Sequence, residues 1–239
     1  MEIIFLDDIL KKYRKNKVLN GLTLNVEKGE ILGIMGKSGC GKTTLLKGLI
    51  GMINYDSGKI YFNGEKINIL NKNFLRNRVG FASQENMLYE ELTLMENIVY
   101  YGKLYNLKKS EIIENASQLL GLSGLSNSKR LLIKNFSGGM KKRANILVSL
   151  VHDPDVLILD EPTTGLDPIL RSSIWEYILK INKQGKTVIV SSHLIEELQE
   201  YCTNVAFMHR GRILGKYDIK DKEKFSEETL NKIFIKWLS

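Results

Sequence analysis

The sequence predicts an α/β fold. Three observations carry this prediction. Short β-like runs alternate with helix-like segments along the chain. Ile31-Leu32-Gly33-Ile34-Met35 is apolar throughout, as a strand buried on both faces must be, and a glycine loop and an apolar helical run follow it. Val156-Leu157-Ile158-Leu159 is a second such run, and it ends in two acids, Asp160-Glu161.

Taken in order, Ile3 to Leu6, Leu22 to Val26 and Lys59 to Phe62 read as early strands. The second alternates apolar and polar residues, as a half-exposed strand should. Val79 to Ala82 and Thr187 to Val190 read as buried strands. Asn204 to Met208 and Arg212 to Leu214 form a closing hairpin around Arg210-Gly211. From about residue 90 to 154 the pattern is helical. Ile112, Ile113, Ala116, Leu119 and Leu120 are expected on one helical face, and Ala144, Leu147, Val148 and Val151 on another, with Pro154 ending that helix. Ser226 is placed to cap a last helix, with Phe225 and Leu230 as its hydrophobic staple. Leu230, Ile233, Phe234, Trp237 and Leu238 recur on one face of it, which either docks on the chain's own body or meets a partner subunit or a membrane surface. The organisation is one domain over residues 1–239: an αβ lobe of about 1–84 and 155–239, and an inserted helical lobe of about 85–154.

Composition narrows the class. The 239 residues suffice for a core without disulfide or metal staples. Apolar residues at 43% and charged residues at 26% are ordinary globular values, which excludes a disordered or collagen-like chain. No run of 18 apolar residues exists, so no membrane-spanning helix is expected. The start, Met1 to Asp8, lacks the pattern of a signal peptide. Cys40 and Cys202 stand far apart and suggest neither a disulfide framework nor a zinc site. A cytoplasmic protein is the expectation. The formal charge of +8 is spread in short basic runs, which reads as a solvated lysine-rich surface. If that charge has a partner, anionic lipid at the cytoplasmic membrane face suits it better than nucleic acid, which is not an expected partner.

Gly36-Lys37-Ser38-Gly39-Cys40-Gly41-Lys42-Thr43-Thr44 fits G-x-x-x-x-G-K-[ST] between a strand and a helix, the context this phosphate-binding motif requires. Glycines let successive backbone N–H groups curl toward phosphate oxygens, and the helix N-terminus adds partial positive charge. Lys42 can reach the β- and γ-phosphates of a nucleotide, and the Thr43 hydroxyl can ligate Mg²⁺. Cys40 is a small residue that fits the loop. Its place beside a helix N-terminus would acidify the thiol, and its alkylation should block nucleotide binding.

A hydrophobic strand delivers its terminal carboxylates to the sheet edge where ligands of open α/β folds bind. Asp160 is therefore a candidate for holding Mg²⁺, and Glu161 for polarising a water against the γ-phosphate. Gln84 and His193 each follow a short apolar strand and should emerge at the same edge. Gln84 could contact Mg²⁺ or the attacking water, and His193 the γ-phosphate. Ser137-Gly138-Gly139 precedes another helical run; Ser137 is a good N-cap, and the glycines leave N–H groups open to an anion.

In this order, the phosphate loop, Gln84, Ser137-Gly138-Gly139, Val156 to Glu161, Gly165-Leu166-Asp167 and His193 resemble the nucleotide-binding subunit of ABC transporters, over nearly the whole chain. The resemblance implies a P-loop fold of ABC type, with a mixed sheet core, an antiparallel β subdomain and an inserted helical subdomain. It implies ATP and Mg²⁺ as cofactors, with Thr43, Gln84 and Asp160 on the metal and Lys42, Gln84, Glu161 and His193 in catalysis. It implies a homodimer or paired cassette closed by ATP, in which Ser137 and Gly139 of one subunit complete the other's site. Tyr13 stands where the family stacks an aromatic on adenine; the alternative is a surface aromatic at a strand end. Where the family has Leu-Ser-Gly-Gly-Gln, this chain has Phe136-Ser137-Gly138-Gly139-Met140, and Met140 lacks the glutamine's hydrogen bonds.

Ser-Gly-Gly-Met-Lys-Lys-Arg, Leu-Asp-Glu-Pro-Thr-Thr-Gly-Leu-Asp-Pro and Ser-Ser-His-Leu-Ile-Glu-Glu look like the ATPase subunits of antibiotic, multidrug and polysaccharide exporters. The resemblance therefore implies a separate membrane permease as partner, with this chain peripheral on the inner face of the cell membrane. The helical insertion near Gln84 to Glu91 would pass the motion to it. The rival expectation is a soluble ABC ATPase without a permease, for example in cofactor assembly.

Overall fold

The computed structural model describes residues 1–67, 72–219, 225 and 227–238. Along them run β1 (Glu2–Tyr13), β2 (Asn16–Glu27), β3 (Ile31–Met35), α1 (Lys42–Leu49), β4 (Ser57–Phe62), β5 (Glu65–Ile67), α2 (Lys72–Arg78) and β6 (Val79–Ala82). There follow α3 (Leu94–Leu104), α4 (Lys109–Ser123), α5 (Gly138–Ser149), β7 (Val156–Asp160), α6 (Pro168–Lys183), β8 (Thr187–Ser192), α7 (Ile195–Tyr201), β9 (Asn204–His209), β10 (Arg212–Asp218) and α8 (Glu227–Leu238). The chain divides into two compact units, Met1–Arg76 with Thr187–Ser239, and Asn77–Lys186.

The first unit holds two sheets. One is antiparallel, in the order β2-β1-β4-β5. In the other, β3 lies between β8 and β9, parallel to both, and β10 returns antiparallel along β9. A strand paired on both edges and covered on both faces has no polar position to spare, and all five residues of β3 are buried. Gly33 sits mid-strand because a Cβ there would lie 2.8 Å from Leu198 Cδ2 of α7. Just before β3, Glu30 is buried and takes Lys216 Nζ of β10 at 2.9 Å. Burial pushes the Glu30 carboxyl up, and the Lys216 ammonium pulls it back down.

The second unit pairs β6 with β7 in parallel, from Val79 opposite Val156 to Ala82 opposite Leu159. Its helical core joins Leu94 and Ile98 of α3, Ile112, Ala116 and Leu120 of α4, and Ala144, Leu147 and Val148 of α5. The end of α5 lies against β6 so closely that a Cβ on Gly80 would reach 2.3 Å from the Ser149 carbonyl oxygen. Helix α3 starts in a capping box between Thr93 and Glu96, and α6 starts at the Asp167 N-cap with Pro168 in its first turn.

Several expectations need correction. β1 and β2 each run 12 residues, well beyond the short apolar runs that mark them. Ile113 is 49% exposed, because neighbours on a helix point about 100° apart and Ile112 has the core side. Helix α5 stops at Ser149 rather than at Pro154; the chain turns away through Asp153, whose φ is +53°. The segment from Gln84 to Glu91 is not helical. In α8, Leu230 is fully buried and the helix lies beside α7. The proposed cap Ser226 and the side chains of Phe234, Trp237 and Leu238 lie outside the described residues.

Candidate functional site

In the first unit the loop from Gly36 to Gly41 leaves β3 and enters α1. Gly41 has φ 112°, a conformation L side chains rarely adopt, and a Cβ on it would meet the Val18 carbonyl oxygen at 2.8 Å. A Cβ on Gly36 would fall 2.5 Å from both Cys40 Sγ and the Met208 carbonyl oxygen. No side chain caps α1, and its first turn carries no acid. Its N-terminal N–H groups thus keep their field for an incoming anion. Lys42 is 7% exposed and folds back along the loop, donating from Nζ to the Gly36 carbonyl at 2.7 Å. Lys37, Ser38 and Gly39 are exposed, as is Thr43, while Thr44 is half-buried.

The loop is pinned from outside. Gly211, at the turn between β9 and β10, donates its N–H to the Cys40 carbonyl at 3.0 Å and accepts from Asn20 N–H at 3.0 Å. Cys40 itself is buried, and burial pushes its thiol above the ordinary range, outweighing the nearby Lys42 ammonium. The expected acidification is therefore not what the fold produces. Met35 pairs with Ser192. Gly36 and His193 are the next residues on two parallel strands, so the first unit brings the start of the phosphate loop and His193 to one sheet edge. Tyr13 ends β1 and is 48% exposed.

In the second unit Ala82 pairs with Leu159, so Gln84 and Glu161 each stand two residues past the same rung. Asp160 is buried at the end of β7. Glu161 has φ +48°, a left-handed conformation that costs a non-glycine residue free energy and is common at functional sites. Its Oε2 accepts from Thr164 Oγ1 at 3.0 Å. The segment after β6 is held by α5: Asn145 Nδ2 donates to the Ser83 carbonyl at 3.2 Å, and Lys142 Nζ donates to the Gln84 carbonyl at 2.6 Å. Burial lowers the Lys142 pKa. Sequence reasoning passed over Asn145 and Lys142. Their only signal was their place eight and five residues after Ser137.

Ser137 caps α5, its Oγ accepting from Met140 N–H at 3.3 Å. Ser137 and Gly138 are exposed, and nothing lies within 4 Å of a Cβ built on Gly138. Gly139 is buried, with a Cβ position 2.8 Å from Leu170 Cδ2. Met140 packs against the helical core, which suits the thioether where a glutamine would leave polar atoms to satisfy. Among the described residues, no cluster of three or more His, Cys, Asp or Glu gathers in a metal-binding arrangement.

Comparison with known proteins agrees with this geometry. The sequence matches the ABC transporter family over residues 19–164. It is 36% identical to the Nod factor export ATP-binding protein I of Burkholderia lata over 205 residues, which is 86% of this chain and 67% of that protein. It is 34% identical to the ABC transporter ATP-binding protein NatA of Bacillus subtilis over 98% of this chain and 97% of that protein. The dimeric post-hydrolysis structure of the ATP-binding cassette MJ0796, bound to ADP and Pi, superposes with a TM-score of 0.79 at 26% identity, covering 91% of this chain and 99% of that one.

Proposed function

The chain belongs to the ABC transporter family of ATP-binding subunits, and from that premise we propose that it binds and hydrolyses ATP as a dimer to drive a separate membrane permease, in the direction of export. The observation that carries the reading is the loop from Gly36 to Gly41 at the uncapped start of α1, packed too tightly behind Gly36 and Gly41 for a side chain, with Lys42 folded along it. Such a loop offers backbone N–H groups and a helix N-terminus to a phosphate chain.

In this reading the loop amides and Lys42 hold the phosphates, and Tyr13 stacks on the adenine. Each unit carries oxygen donors that suit a hard cation, Thr43 in the first and Gln84 and Asp160 in the second. Mg²⁺ held by such groups would offset charge on the β- and γ-phosphates. Glu161 takes a proton from the attacking water, and His193 orients the γ-phosphate. Ser137, with the Gly138-Gly139 amides, contacts the nucleotide of a second copy. Export is supported by the exporter-like motifs and by the Nod factor export relative, and a dimer by the cassette MJ0796. The chain would then work at the cytoplasmic face of the membrane. Among the described residues, no helix is long and apolar enough to cross a membrane.

The test is fractionation with and without co-expression of a candidate permease of about six spans, the length of each set by the bilayer. The reading expects this chain in the membrane fraction only with the permease, and ATPase activity that rises with the transported compound. A chain that stays out of the membrane fraction, with ATPase indifferent to the permease, would overturn the coupling and leave the ATPase.

A further inference from the structure

We propose that Lys11 and Asp56 are positioning residues for the adenine platform, holding the Tyr13 ring in one orientation through a fixed cation. The inference rests on Tyr13 as the adenine-stacking residue.

Lys11 Nζ lies 5.4 Å from the centroid of the Tyr13 ring, within range of a cation–π contact. A free lysine would hold that place only part of the time, since its four-carbon stem is flexible. This one is tied. Its Nζ meets Asp56 Oδ1 at 2.9 Å, and its side chain is only 14% exposed. Asp56 is tied in turn. Its other oxygen accepts the Lys12 backbone N–H at 2.6 Å, and its own N–H donates to the Leu10 carbonyl at 2.8 Å. The pairing of β1 with β2 is irregular between Lys11 and Lys12, which frees that N–H for the carboxylate. The Lys11 ammonium first, and then the Lys12 N–H, hold the Asp56 carboxyl below the usual carboxylate range, so it stays charged.

The result is a chain of restraint from Asp56 through Lys11 to Tyr13, within one unit and on one strand end. Tyr13 itself remains half exposed, as a ring awaiting a base must be. A ring already ordered binds a flat base without a fresh loss of side-chain freedom. The phosphates gain nothing from this, so its effect falls on the base alone.

The experiment measures Kd for ATP and for inorganic tripolyphosphate with Tyr13→Ala, Lys11→Met, Lys11→Arg and Asp56→Asn, and with the double variant Tyr13→Ala/Lys11→Met. Lys11→Met and Asp56→Asn should weaken ATP by roughly three- to tenfold, the range expected for ordering one side chain. Tripolyphosphate should be unchanged, Lys11→Arg should restore ATP to within about twofold since it keeps the cation, and Lys11→Met should add nothing in the Tyr13→Ala background. Equal losses for ATP and tripolyphosphate would overturn the proposal, because Lys11 would then act by charge on the phosphates or through the fold. If Tyr13→Ala weakens ATP and Lys11→Met does not, the positioning role fails while the stacking role stands. If Tyr13→Ala leaves ATP unchanged, the stacking reading itself falls and takes the platform with it.

Discussion

The Asn145 side chain clamps the strand exit at Ser83 from both sides: Nδ2 donates to the Ser83 carbonyl, and Oδ1 accepts the Met87 N–H at 3.2 Å. Asn145 is 1% exposed, while Ser83 is half-buried and Met87 is 38% exposed. Asn145→Ala removes both bonds, at about 0.5–1.5 kcal/mol each. Urea unfolding should show that loss. ATP turnover should fall further than stability alone explains, because the clamp fixes the segment that carries Gln84.

Lys42→Ala removes the bond to Gly36 and the charge meant for the phosphates. One neutral-acceptor bond to a charged donor is worth about 1.5–3 kcal/mol, so the protein should remain folded. Calorimetric titration should show no ATP binding. Gly36→Ala is the harsher change: its Cβ would meet the Met208 carbonyl oxygen, which is backbone and cannot swing aside. That variant should lose stability as well as nucleotide.

Glu161 combines a proposed proton-accepting role with a strained backbone. Glu161→Gln keeps the shape and an acceptor oxygen for Thr164 but removes the basic carboxylate, so ATP should bind, turnover should stop and a dimer should accumulate on size exclusion. Normal turnover by this variant would sink the assignment of Glu161 as base. Glu161→Gly is predicted to be inactive. Glycine adopts φ +48° freely, a relief of about 1–2 kcal/mol that offsets most of the lost Thr164 bond, so denaturant unfolding should shift by less than about 1 kcal/mol.

Where the fold has two covered faces, the sequence could be read residue by residue. β3 and β6 appear with their predicted ends; β3 is buried throughout and β6 at all but Phe81, and such burial demands an unbroken apolar run. β1 could not be read the same way: its burial alternates irregularly and its last residues are exposed, so charge hides half the strand. The phosphate loop was legible because its backbone shape demands glycines at fixed spacing. Asn145 and Lys142 were not, because their partners are backbone groups 62 and 58 residues away and leave no mark in the sequence. The Glu161 backbone strain was equally silent, since an acid after a strand reads alike in any conformation.

The last prediction concerns pH. His152 stacks face to face on Tyr105, with centroids 3.7 Å apart and planes 5° from parallel. Burial lowers its pKa from the ordinary 6.5 to about 4, since the charged ring would be cut off from water. The native state therefore resists a proton that the unfolded chain accepts. Above pH 6.5 both states are neutral at this site, and its contribution is complete. Between about pH 6.5 and 4 the unfolded chain takes up the proton first, so stability falls as pH falls, by roughly 3 kcal/mol in all. His152→Phe keeps the stacking and cannot titrate. Urea unfolding at pH 7 and pH 4.5 should show a smaller pH loss for His152→Phe than for the parent chain, and equal losses would mean that His152 is not kept neutral by the fold.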